Sequence, residues 1–103
     1  MITLWAACKC DAAGVILASS NVVGVAVMGA GIYHVQMVNE LGPYECSAGA
    51  VPWYVEPSAV PLVRFVCGVD PAFPDRIIVN GFAGIPPVAS PGPFDLIVWR
   101  FVP

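Results

Sequence analysis

The chain has 103 residues with four Lys/Arg, seven Asp/Glu and one His, a net charge of −3 and 58% hydrophobic residues. At 10.8 kDa a second hydrophobic core would leave each half marginal, so residues 1–103 read as a single domain. An ordinary domain carries roughly 25% charged residues against 11% here. Part of the surface is therefore expected to be covered by partner subunits or a larger assembly.

The same figures exclude several functions. Four scattered cations (Lys9, Arg64, Arg76, Arg100) cannot displace counterions from a phosphate backbone, so no nucleic-acid partner is expected. Gly, Pro or a polar residue interrupts every apolar stretch before the 18 or so residues of a helical membrane span, so no membrane association is expected. The opening segment MITLWAACKCDAAG places Lys9 after its apolar residues, unlike an export signal.

In chain order, short runs of β-branched and aromatic residues alternate with turn residues, and no window shows uninterrupted helical periodicity. Strands are predicted near residues 2–10, 14–19, 22–28, 31–39, 44–55 with a break, 61–68, 75–82 and 94–102. The fold class is thus all-β, a small antiparallel β-sandwich of seven or eight strands. In the first strand Cys8 and Cys10 share a face. With Cys46 and Cys67 they could form a mononuclear metal site, but the spacing lacks the C-x2-C pairs of a zinc ribbon, and buried thiols are the expectation. In the fourth, Tyr33, Val35 and Met37 share one face and Ile32, His34, Gln36 and Val38 the other, and one of these faces packs on the core. His34, the single histidine, has no recognisable nucleophile context beside it, so no enzyme activity and no cofactor are expected.

All eleven prolines lie at or beyond position 43. Trp53 and Tyr54, flanked by Pro52 and Pro57, could close the end of the core, anchor a protein interface or stack on a glycan. The segments 69–74 and 82–93 read as rigid Pro-rich loops without ladder pairing. In the last strand Phe94, Leu96 and Val98 share one face and Ile97, Trp99 and Phe101 the other. Both faces are apolar, so the strand is expected to be central or to lie against a neighbouring subunit. Arg64, Arg76 and Arg100 sit among apolar residues and need acidic partners, with Asp75, Asp95, Glu45 and Glu56 the candidates. Arg100 with Asp95, or with a neighbour's acid, is expected to set the oligomer's register. The interface candidates are Trp53, Tyr54, Ile97, Trp99, Arg100 and Phe101.

Residues 18–37 read ASSNVVGVAVMGAGIYHVQM and residues 41–44 read LGPY. This pattern resembles the C-terminal domains of bacteriophage tail fibres. There an Asn-Val pair opens a strand, a Gly-x-Tyr-x-Val strand follows, and a Leu-Pro-Tyr-like turn leads onward. The matching positions are Asn21-Val22, Gly31-x-Tyr33-x-Val35, and Leu41 with Tyr44, and the hydrophobic strand Phe94 to Phe101 is similar to the closing strand of those domains. Glu45-Cys46 and the segment 52–61 depart from the pattern. The resemblance implies a homotrimeric β-sandwich of a phage virion, assembled in the host cytoplasm. Because no shaft or tail anchor precedes Met1, the expected role is a capsid decoration (cement) protein whose partners are its own copies and the major capsid protein or another virion protein. The alternative is a tail-fibre tip or host receptor-binding module.

Overall fold

The computed structural model describes residues 1–38, 46–52 and 63–101. They form nine strands in two antiparallel sheets: β1 (Ile2–Cys10), β2 (Ile16–Ser20), β3 (Val22–Gly29), β4 (Ile32–Met37), β5 (Cys46–Pro52), β6 (Arg64–Asp70), β7 (Phe73–Ala83), β8 (Val88–Ala89) and β9 (Phe94–Phe101). The first sheet has the order β2-β1-β9-β5, and the second β3-β4-β7-β6 with β8 added on β7. No helix long and apolar enough to cross a membrane occurs among the described residues.

Short polar devices make the turns. Asp11 Oδ1 accepts hydrogen bonds from the backbone N–H of Ala13 and Val15, each at 2.9 Å, which closes the β1–β2 hairpin. Asn21 then carries the chain from the first sheet to the second in one residue. It takes φ = 58°, a conformation that Asn tolerates better than most side chains, and its Nδ2 donates to the Trp5 carbonyl at 2.7 Å.

The core lies between the sheets. Ala6, Cys8 and Cys10 of β1 and Phe94, Leu96 and Val98 of β9 meet Tyr33, Val35 and Met37 of β4 and Ile77 and Val79 of β7, all essentially inaccessible. The alternation expected in β4 therefore holds. Burying a side chain such as Leu96 or Ile77 contributes about 1.5–3 kcal/mol. The ring of Phe94 packs 5.0 Å from that of Tyr33 and 5.3 Å from that of Phe65, tying β9 to both β4 and β6. Buried Tyr33 keeps its hydroxyl satisfied by donating to the Ala12 carbonyl at 2.7 Å and accepting from the Gly92 N–H at 3.2 Å.

Three expectations are corrected. The described residues form nine strands, because the segment read as an unpaired loop over 82–93 contains β8, which pairs Phe82 with Ala89 and Ala83 with Val88. It takes the side of β7 that β4 vacates beyond Asn80. The segment 69–74 is a tight turn at Pro71-Ala72 rather than a long loop, with the Ala72 N–H donating to Asp70 Oδ1 at 2.9 Å. Finally, β9 is central in its sheet, but only one of its faces is buried within the chain: Trp99 and Phe101 remain 37% and 47% exposed.

Candidate assembly surface

The outer face of the first sheet is built by β1 and β9. Their register sets Ile2 opposite Phe101, Leu4 opposite Trp99 and Ala7 opposite Ile97. Directly opposed side chains on one sheet face lie about 5 Å apart, so these rows form one continuous apolar strip. Ile2 and Leu4 are 60% and 62% exposed. The Trp99 ring leans toward β5, where Gly49 has no side chain to displace it: a Cβ at that position would lie 3.4 Å from Trp99 Cζ3. Polar chemistry begins only at the far end of the strip, where Lys9 Nζ and Asp95 Oδ1 pair at 3.3 Å beside a shallow depression of about 360 Å³ that includes Ala18 and Ser20.

Of the interface candidates, Ile97, Trp99 and Phe101 come together on this face. Arg100 does not. It shares the inward parity of Val98, and its guanidinium lies 4.9 Å from the centre of the Trp5 ring at the end of the sandwich. Asp95 and Arg100, five residues apart on one strand, point to opposite faces, and Asp95 pairs with Lys9. Arg100 and Asp95 of one chain therefore stand on opposite faces of β9 rather than side by side. Trp53 and Tyr54 lie outside the described residues, as do Glu45 and Glu56.

Ile2 and Leu4 were missing from the expected interface because β1 bulges between Leu4 and Ala6. Simple alternation puts Ile2, Leu4, Ala6, Cys8 and Cys10 on one face. With Trp5 as the extra residue, the first two turn outward while the last three stay in the core. A bulge leaves no unambiguous mark in sequence.

The outer face of the second sheet differs in chemistry. Arg76 Nη1 lies 3.5 Å from Asp70 Oδ2 and 3.3 Å from His34 Nδ1, and its guanidinium stacks 4.1 Å from the centre of the Phe73 ring. The acidic partner is Asp70, not the expected Asp75, whose carbonyl instead accepts from Gln36 Nε2 at 3.2 Å. Arg64 is exposed at the start of β6.

The described thiols are poorly placed to act as nucleophiles. Burial, with a smaller contribution from neighbouring Cys8 and Asp11, pushes the Cys10 thiol up to about 12. Burial also raises Cys8, with Asp95 adding to the effect, and raises Cys67 against an opposing backbone hydrogen bond from Ala50. All three are held in the protonated form near neutrality, whereas a nucleophile needs the thiolate. Among the described residues no group of three or more His, Cys, Asp or Glu side chains could hold a metal ion. Comparison with protein-family models, with curated proteins and with solved structures finds no match to this chain.

Proposed function

We propose that the protein is a structural subunit of a bacteriophage particle that associates as a homotrimer and binds the capsid shell as a decoration protein. The observation that carries this reading is the outer face of the first sheet, where Ile2, Leu4, Trp99 and Phe101 stand exposed side by side with no charge among them. A contiguous apolar strip of this kind marks a protein contact. Its two aromatic side chains are of the type that anchors interfaces, and Lys9 with Asp95 supplies a polar rim at one end. Placement on a phage rests on the tail-fibre-like pattern of residues 18–44. The mechanism is additive: each trimer buries apolar area against its neighbours, and many copies together raise the temperature or force needed to open the shell.

The experiment compares the wild-type chain with the double variant Trp99→Asp, Phe101→Asp by light scattering, and counts copies per purified particle by quantitative mass spectrometry. The wild type is expected at the mass of three protomers, the variant at one, with hundreds of copies per particle. A few dozen copies would place it in the tail instead. A wild-type monomer, or absence from particles, would sink the proposal.

A further inference from the structure

The two edges of the second sheet are unlike. β6 is bounded by Arg64 and Asp70 and lies beside β5 of the other sheet. β3, the opposite edge, is exposed: Val23, Val27 and Met28 are 67%, 49% and 60% accessible. Free sheet edges present a row of unpaired backbone N–H and C=O groups, which proteins normally guard with charge, Pro or bulges. From Ala12 to Asn39 the sequence contains no Asp, Glu, Lys, Arg or Pro. The two bulges of β3 sit at its ends, between Val22 and Gly24 and between Val27 and Gly29, leaving Gly24 to Val27 in unbroken register with β4.

We infer that β3 is a strand-pairing edge whose partner is β3 of a second copy, running antiparallel about a two-fold axis close to Ala26. Charge selects that partner. β3 itself carries no charge to meet a charged segment, and the cation that lines the groove beside it, Arg76, is already paired with Asp70, whereas a second β3 brings no charge that needs a partner. Shape agrees with it. On the outer side of β3, Gly24 has open space above it, with nothing within 4 Å of where a Cβ would sit. Met28, four residues on, lines the same shallow groove of about 310 Å³. Antiparallel pairing centred on Ala26 sets Met28 of each copy opposite Gly24 of the other, a knob beside a hole, twice. On the inner side it sets Val25 opposite Val27, extending the valine contacts of the core. An edge ladder of this length buries less than the roughly 800 Å² per partner of a standard interface. The contact is therefore weak between free molecules and firm where copies are already held close together. It is separate from the apolar strip of the first sheet, so it would link assemblies pairwise.

The test traps the pairing. Residues directly opposite in an antiparallel ladder have Cα atoms about 4.5–5.5 Å apart, within disulfide reach. Ala26→Cys, oxidised gently, is expected to yield mostly covalent dimer, while Ser19→Cys on exposed β2 and the wild type do not. The wild type is expected to associate in a concentration-dependent way in sedimentation, and Ala26→Lys, which opposes like charges across the axis, is expected to lose that association with an unchanged melting temperature. Cross-linking of Ala26→Cys no greater than that of Ser19→Cys, or sedimentation of Ala26→Lys identical to the wild type, overturns the inference. The Ala26→Cys cross-link should persist when Trp99→Asp and Phe101→Asp are added. Failure of the trimer and failure of this edge contact are thus read separately.

Discussion

The two sheets present the same chemistry to the core but differ outside, although Val66 and Met28 of the second sheet also stand exposed. On the outer face of the second sheet, His34, Arg76, Asp70, Phe73 and Gln36 satisfy one another and nearby carbonyls. On the outer face of the first, Ile2, Leu4, Trp99 and Phe101 have apolar area and no internal cover. A polar face whose groups are paired within the chain gains little from a partner, whereas an apolar face gains by roughly 25 cal/mol for each Å² it removes from water. The contrast is what supports the proposed contact surface on the first sheet.

The largest expected effect removes both faces at once. Gly31 takes φ = 72°, and a Cβ there would lie 2.5 Å from the Ser90 carbonyl oxygen and 2.8 Å from that of Gly81, both backbone atoms that cannot swing away. Gly31→Ala is expected to cost about 4 kcal/mol or more, a large share of the 5–15 kcal/mol that stabilises a domain. In the same sheet Gly24 meets nothing within 4 Å, so Gly24→Ala should change stability by only about 0.5 kcal/mol. Chemical denaturation of the two variants measures the difference directly.

The next effect lies in the core that both faces share. The Cys10 thiol is raised from an ordinary 9.0 to about 12. Below pH 9 both folded and unfolded chains keep this proton, and the stabilisation is fully present. Between pH 9 and 12 the unfolded chain ionises while the folded one does not, so stability falls as pH rises, by about 1.4 kcal/mol per pH unit for this thiol. Cys8 and Cys67 are shifted in the same direction and add to the slope. Denaturation midpoints measured from pH 8 upward should fall accordingly, and Cys10→Ala should make the slope shallower. A flat profile would mean that the thiols are not shielded from water.

Much of this was legible in the sequence, and the exceptions have physical causes. Alternation separated the two faces of β4 correctly, because period two is a direct consequence of the pleat; in β9 both faces are apolar, so the sequence does not say which of them turns to the core. β1 is harder to read, because one bulged residue, Trp5, reverses the parity of everything before it. The pairing of Arg76 with Asp70 was equally hidden. Asp70 pairs with Phe73 at the turn, and the register break between Val69 and Asp70 leaves Arg76 of β7 within reach of it. The sequence suggested nearer or more obvious acids. Paired Trp53 and Tyr54 stood out by composition, but the described strip uses Trp99 and Phe101 with Ile2 and Leu4, and register alone assembles that set.

The smallest effect sharpens the contrast between the faces. Arg76 is 25% exposed at its side chain and Asp70 11%, so their pair is neither freely solvated nor fully buried. Removing the guanidinium leaves a largely buried carboxylate that retains the Ala72 N–H at 2.9 Å, and it forfeits the stacking on Phe73. Arg76→Ala is expected to cost about 1–2 kcal/mol, part from the stranded acid and part from the lost cation–ring contact. Arg76→Lys should recover the charge but not the flat stacking, and so restore only a fraction. If the second sheet's outer face is internally satisfied and not a trimer contact, neither variant changes the mass measured by light scattering. A fall in assembly mass with Arg76→Ala would show that the polar face also holds a partner, and the division of labour between the two sheets would fail.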